Sequence, residues 1–461
     1  MTDGDARAST DNADYPKPAY AWYVVVLMMF FYVLSFMDRQ IIAVLIEPIK
    51  ADLALSDVQI SLLGGLSFVL FYSTMGVFVG RLADSLNRPL LIAAGVFIWS
   101  LTTALCGLAG KFWQLLFLRM GVGLGESALL PSTLSLLSNY FPPQRLATPT
   151  SVFLLGAPIG IGLSFAAGGY IYSVAQDIAA APGWEDVFFI GGSAAWKIVL
   201  LFLGVVGMLM TLLMVTVREP RNSERVVASS NPAKLAEPAS MGEVGRYARK
   251  HWLAIGGLYL GMAFISLASY SQAFWDITFL TRTYGWDAST GSYWYGMVQL
   301  FAGLMGMLTG GLVADRMTKS GVVGASVVMV IVGSGLAAPF ALMYPLAGTA
   351  STALWLMVPA IFGNNMCFAC AASGIQRMFP GTMLGLAAGI YFFMSNAIGI
   401  GIGPTAIAAF TDYLFEDPSQ IRYSLTIVGG FSRVIAFVLV IAGLKAYRDL
   451  LRSLESPDRH S

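Results

Sequence analysis

The chain has 461 residues, of which 57% are apolar and 11% charged, with a formal net charge of +1. Soluble globular chains carry roughly 25% charged residues, so there is too little charge here to cover a water-facing surface. A net charge near zero also leaves no basic surplus to neutralise nucleic-acid phosphates. The mean hydropathy of +0.70 points instead to segments that live in lipid. Cys106, Cys367 and Cys370 all fall in apolar runs, so no disulfide framework is expected.

Residues 1–19 are polar and lack a basic start or a cleavage site, which reads as a disordered cytoplasmic tail rather than a signal peptide. Apolar stretches near 20 residues, the length that crosses a ~30 Å hydrocarbon core, then follow in order. Helix 1 is expected near Tyr20–Ile46, helix 2 near Val58–Val79, helix 3 near Leu90–Ala109, helix 4 near Phe112–Ser138, helix 5 near Thr148–Tyr172 and helix 6 near Ala195–Val217. A polar stretch over 218–250, with Pro, Ser, Asn and seven Lys or Arg, reads as a cytoplasmic linker between two halves. Helices 7 to 12 are expected near His251–Leu280, Gly291–Val313, Gly321–Tyr344, Ser351–Met378, Met383–Phe410 and Ile421–Ala446, before a cytoplasmic tail over 447–461. The chain thus divides into six-helix bundles at 20–217 and 251–446.

Cytoplasmic loops of membrane proteins are enriched in Lys and Arg. With both termini inside, 19 of these residues lie on the inner side and 5 on the outer; Arg39, Arg119 and Arg433 fall within spans. The expected protein is therefore a multi-pass membrane protein, of the plasma or inner membrane, with cytoplasmic termini.

The halves echo one another. Gly80-Arg81-Leu82-Ala83-Asp84 lies between helices 2 and 3, and Gly311-Leu312-Val313-Ala314-Asp315-Arg316 between helices 8 and 9. Phe141-Pro142 pairs with Phe379-Pro380, followed 18 and 19 residues later by Ile159-Gly160-Ile161-Gly162 and Ile398-Gly399-Ile400-Gly401. Such repetition is the mark of transporters built from related bundles.

The Gly-x-Leu-Ala-Asp loop resembles the signature of the major facilitator superfamily, although Ser85 stands where a basic residue is usual and Asn87 where Gly is usual. Arg119-x-x-x-Gly123 and the helix 5 pattern Gly156-Ala-Pro158-x-Gly160-x-Gly162 resemble superfamily motifs too, the latter one associated with exporters. Within the superfamily, Met37-Asp38-Arg39, the run from Arg119 to Glu126 and Pro158-Ile-Gly160-Ile-Gly162 resemble the Spinster family of lysolipid and sphingosine-phosphate transporters, in a bacterial-type homologue. The likeness implies an all-α integral membrane protein with the twelve-helix fold, two pseudo-symmetric six-helix bundles and alternating access. It implies a transporter rather than an enzyme, with no cofactor and no metal. The expected partners are a small amphiphilic substrate, protons and membrane lipid around a monomer, with no nucleic acid.

Charges buried in spans are costly and mark function. Asp38 and Arg39 lie within helix 1; Arg119 and Glu126 lie on one face of helix 4, two turns apart, at depths of roughly 10 and 21 Å. The resemblance implies that helices 1 and 4 line a central cavity, where Asp38 would meet Arg119 and Arg39 would reach Glu126. Arg stays protonated, so Asp38 and Glu126 are the candidates for proton coupling, with the arginines for a substrate head group. A static ion-pair network that only orients two helices is the bland alternative. His251 and His460 sit at a membrane surface and in the tail, where neither can act.

In the loops, Gly80 and Asp84 are the conformational gate candidates, with Asp84 facing the positive end of helix 11 near Thr382 in the outward-open state. Arg88 or Arg145 would pair with Asp84, and Asp315 and Arg316 would act equivalently in the other half; solvated loop charges are the alternative. Gly121-x-Gly123-x-Gly125 lies mid-membrane with no strand before it, so it reads as close helix packing rather than a nucleotide loop. Cys367-x-x-Cys370 reads as a pair of small packing residues.

The Phe-Pro echo, an offset of 238, carries Glu126 onto Asn364 and Arg119 onto Met357, so the second half replaces charge with amide and thioether. Cavity candidates there are Phe264, Tyr270, Phe274, Trp275, Asn364, Asn365 and Met366, which would give a charged wall facing an aromatic one and suit an amphiphile with a polar or phosphate head. Packing or lipid contact is the plain alternative. Asp276 reads as a gate or interfacial residue near the outer end of helix 7. Two other functions stay open: a proton-coupled transporter of a small organic anion or sugar acid, which would need several cationic cavity residues, and a non-transporting receptor or scaffold.

Overall fold

The computed structural model describes residues 15–142, 145–184, 193–219 and 239–455, and every regular element among them is helical. The first half contains α1 (Pro18–Val44), α2 (Asp57–Gly64 and Leu66–Ser85), α3 (Arg88–Cys106), α4 (Phe112–Glu126 and Leu129–Tyr140), α5 (Ala147–Leu154 and Gly156–Ala179) and α6 (Ala195–Thr211). The second contains α7 (Trp252–Tyr284), α8 (Ala288–Lys319), α9 (Ala325–Met343), α10 (Ala350–Met378), α11 (Gly381–Asn396 and Gly403–Ala409, joined by a π-helical turn) and α12 (Ile421–Ser424 and Phe431–Glu455, likewise joined). Eleven of these helices are long and apolar enough to cross a membrane. The twelfth span, α4, is broken into pieces of 15 and 12 residues.

The breaks have local causes. Pro131 has no amide to donate to the carbonyl of residue 127, so α4 breaks just after Glu126. Pro158 does the same to the carbonyl of Leu154 in α5. Helix starts are set by capping: Ser56 and Gln59 form a reciprocal capping box at α2, and Asn87 Oδ1 accepts from the Leu90 amide at α3. The segment expected only as linker contains a short helix, Met241–Lys250, with its own Ser240/Glu243 capping box.

Equivalent helices pair in the two halves: α1 with α5 and α7 with α11, α2 with α4 and α8 with α10, α3 with α6 and α9 with α12. Small residues allow the approach. A Cβ on Gly123 of α4 would lie 2.4 Å from the Phe68 carbonyl oxygen of α2, the close packing expected of the Gly121-x-Gly123-x-Gly125 run. Gly156 and Gly160 of α5 face α1, while Gly162 faces Leu300 of α8 across the two halves. Phe78, Leu90, Trp113, Phe117, Tyr170 and Trp355 are more than half exposed, an apolar outer belt that fits lipid. Cys367 and Cys370 are buried; the Cys367 thiol donates to the carbonyls of Val330 and Gly363.

Candidate functional site

Four charges are buried where α1 meets α4. Arg39 Nη2 donates to Glu126 Oε2 at 2.7 Å, and the Ser35 hydroxyl donates to the same oxygen at 2.8 Å. Glu126 is 1% exposed and its Oε1 has no hydrogen-bond partner. The second expected pair does not close as a salt bridge. Arg119 Nη1 donates to the backbone carbonyl of Asp38 at 3.2 Å and Nε to that of Leu63 at 3.4 Å. Asp38 is fully buried and neither carboxylate oxygen is hydrogen-bonded, with the Trp99 indole beside it. Neighbouring residues on a helix point about 100° apart, so Asp38 and Arg39 cannot face α4 in the same way. The break after Glu126 also leaves that carboxylate at a place where helix geometry is already interrupted.

Arg39 has a second face. Its guanidinium carbon lies 4.7, 4.6 and 4.7 Å from the ring centres of Phe36, Phe68 and Tyr72, a cation–π cage. That face opens on a cavity of about 470 Å³ between the halves, and Arg39 is the one charged residue among its described lining residues. Tyr32, Phe36 and Tyr72 line the first half's side; Tyr270, Phe368, Tyr391, Phe392 and Phe393 line the other. Asp38, Arg119 and Glu126 stand behind this surface rather than on it.

Of the residues expected on the second half's wall, Tyr270 is on the cavity. Phe274 and Trp275 are instead core residues: the Phe274 ring packs on Gly64, and Trp275 Nε1 donates to the Pro404 carbonyl at 2.8 Å. Met366 is buried against Gly310, and Phe264 packs on the core of the second half. Asn364 and Asn365 line a separate, smaller chamber with Asp276, which is 2% exposed and therefore not interfacial. The α11 aromatics were missed because a Tyr-Phe-Phe run in an apolar helix reads equally well as lipid-facing.

The cavity is closed at one end by contacts between the halves. Arg282 of α7 donates to both oxygens of Asp57 at 2.7 and 2.8 Å and to Glu47 at 2.8 Å; Lys50 also bonds Asp57. The Val58 amide donates to Asp412 at 2.9 Å, and Ser61 bonds Thr405 at 3.2 Å. None of these residues stood out in the sequence. From the midplane the cavity runs along Gly76 of α2, Leu134 of α4, Phe368 of α10 and Gly389 of α11, towards the end that carries the 2–3 and 10–11 connections.

At that end the surroundings of Gly80 and the side chain of Asp84 lie outside what the structure describes. Arg88 has partners of its own: its Nη1 donates to Glu219 at 2.5 Å, its Nε to Ser135 at 2.8 Å, and its backbone amide to Glu219 at 2.9 Å. Arg145 is exposed, as are Asp315 and Arg316, and no ion pair joins the last two. The Thr382 carbonyl accepts from the Ala239 amide at 3.2 Å.

A model of the Major Facilitator Superfamily matches residues 28–404. An MFS-type efflux pump of Mycolicibacterium smegmatis is 28% identical over 98% of this chain and 99% of its own. A probable L-galactonate transporter of Escherichia coli is 26% identical over 73% and 72%, and protein spinster homolog 1 of Xenopus tropicalis 25% identical over 92% and 80%. Among solved structures, a bacterial homologue of the human lysosomal transporter Spinster, inward-facing and unoccupied, superposes with a TM-score of 0.76 at 23% identity, covering 97% of this chain and all of that one.

Proposed function

The chain belongs to the Major Facilitator Superfamily, a multi-pass membrane transporter and not an enzyme, and on that premise we propose that it is a proton-coupled carrier of an amphiphile with an anionic head. The observation that carries this reading is the double engagement of Arg39: one guanidinium faces a cavity whose walls are mainly aromatic and apolar, and the same guanidinium holds a buried carboxylate. An anionic head entering the cavity competes with Glu126 for Arg39. A proton on Glu126 frees Arg39 for the head; loss of that proton returns Arg39 to Glu126 and expels the head. The hydrocarbon tail lies along Tyr270, Phe368, Tyr391 and Phe392.

In this reading the open end of the cavity is the cytoplasmic one, which the basic-residue bias supports; the state is then inward-facing, with the Arg282–Asp57 contact as the closed outer gate. Asp84 and Gly80 belong to the opposite, inner gate, and the shared helix pairing of the halves supports a rocking motion.

The L-galactonate relative favours a second reading, a small sugar acid held by Arg39. Ser73, Ser127, Ser266, Ser395 and Asn396 also line the cavity and supply partners for hydroxyl groups, but its single cation and mainly aromatic and apolar lining suit the amphiphile better. Competition for the purified protein separates the two: a lysophospholipid that protects Arg39 from a guanidine-reactive dicarbonyl while galactonate does not supports the amphiphile, and the reverse supports the sugar acid.

A further inference from the structure

The second half holds a buried charged centre that the proposed function does not use. A chamber of about 20 Å³, large enough for one water molecule, is bounded by Asp276 of α7, Tyr295 of α8, Tyr344 just after α9, Asn364 of α10 and Arg433 of α12. Asp276 is 2% and Arg433 3% exposed, yet they form no ion pair. The Tyr344 hydroxyl donates to Asp276 Oδ1 at 2.6 Å. Arg433 is held by neutral acceptors instead: Gln272 Oε1, the Gly429 carbonyl at 3.3 Å and Asn364 Oδ1 at 3.5 Å. Its Nε and the Gln272 Nε2 have no partner.

A carboxyl and a guanidinium buried in one enclosure without touching is not how a structural ion pair is built, since direct contact is what offsets the desolvation of both. The arrangement suits a carboxyl that changes charge. When ionised, Asp276 is balanced across the chamber by Arg433; when protonated, Arg433 is still solvated by three neutral oxygens. The charged and titratable groups facing Asp276 from the packed elements are Arg433, Tyr344 and Tyr295. The fixed positive charge of Arg433 opposes a bound metal cation and leaves a proton as the fitting ligand.

Symmetry adds an independent argument. The offset of 238 that carries Glu126 onto Asn364 carries Asp38 onto Asp276, and α1 and α7 occupy equivalent places in their halves. The chamber also approaches the cavity: Asn364 Nδ2 donates to Ser269 Oγ at 2.9 Å, and Tyr270, the next residue, lines the cavity.

We propose that the Asp276 chamber is a second proton-binding site, the counterpart in the second half of the Asp38 position in the first. It deepens the proton-coupled reading, and is tested without any substrate. Purified full-length protein in lipid nanodiscs is followed by pH-difference infrared spectroscopy over about pH 5–9, a range into which burial can move a carboxyl. The wild type is expected to show a carboxyl C=O band that Asp276→Asn removes, while bands removed by Glu126→Gln or Asp38→Asn persist in that variant. Tyr344→Phe, which keeps the ring, is expected to move the midpoint and frequency of the same band, and it carries the test should Asp276→Asn fail to fold. The proposal is overturned if Asp276→Asn gives the wild-type difference spectrum, or if Tyr344→Phe leaves every band unmoved. Loss of a band in Asp276→Asn with none lost in the Glu126 and Asp38 variants would sink the coupling role of the first half and leave this site standing; the converse would sink this site alone.

Discussion

Arg39 bonds Glu126 at 2.7 Å and at the same time presents its guanidinium to the cavity, so the buried carboxylate is one side chain away from whatever the cavity holds. Coupling in this account needs no long relay. It needs Arg39 to exchange partners.

The closed end depends on Arg282. Its partner Asp57 is fully buried, whereas the Glu47 arm is 38% exposed and screened. Removing one member of a buried pair costs on the order of a few kcal/mol, and here that cost falls on the state in which this end is closed. Arg282→Ala should therefore broaden and lengthen the distance between spin labels at the exposed positions Ala51 and Ser419. An unchanged distance distribution would remove Arg282 from the gate.

Gly123→Ala should destabilise the first half, because the new methyl would sit 2.4 Å from the Phe68 carbonyl oxygen and force α2 and α4 apart. Overpacking of this kind costs about 1–3 kcal/mol. Gly311→Ala, whose methyl meets nothing within 4 Å, is the control. Thermal unfolding in detergent checks the pair: equal midpoints for both variants would contradict the packing role.

The short helix Met241–Lys250 should fray in acid. The Ser240 backbone amide and hydroxyl donate to Glu243 at 2.8 and 3.1 Å and hold its carboxyl below the usual glutamate range. A group with a depressed value stabilises the helix fully above its unfolded value, and that contribution is lost as pH falls through the folded one. Hydrogen exchange of the amides over 241–250, corrected for intrinsic rates, should lose protection below the glutamate range in the wild type and not in Glu243→Gln. Identical pH profiles would count against the capping box.

A cysteine placed at Ser230 should react with a membrane-impermeant maleimide only after the cytoplasmic side is opened, as the basic-residue bias requires. Labelling from outside intact cells would invert the topology and with it the assignment of inner and outer gates.

Much of the fold was legible because lipid demands continuous apolar runs, and all twelve spans fall where those runs do. Their ends were less so: α8 continues to Lys319 and α2 to Ser85, since a helix need not stop where hydrocarbon does. The Arg39–Glu126 pair was expected because the family resemblance sets helices 1 and 4 on one cavity, and the two side chains do meet. Asp38 was misassigned a partner because sequence adjacency hides the turn between consecutive side chains, and Arg119 meets its carbonyl instead. Arg282 and Asp57, 225 residues apart, become partners only once the two halves are docked. Arg433 was visible as an intramembrane charge, but its chamber is assembled from five separated segments.

The most direct measurement of the central claim is transport in proteoliposomes, comparing wild type with Glu126→Gln and Asp38→Asn for a lysophospholipid under imposed pH gradients. The account predicts that the wild type follows the gradient and that Glu126→Gln, a neutral isostere that still packs against Arg39, moves substrate without responding to it. Wild-type rates and unchanged pH dependence in both variants would contradict it, and would make the buried charges a structural network that only orients α1 and α4.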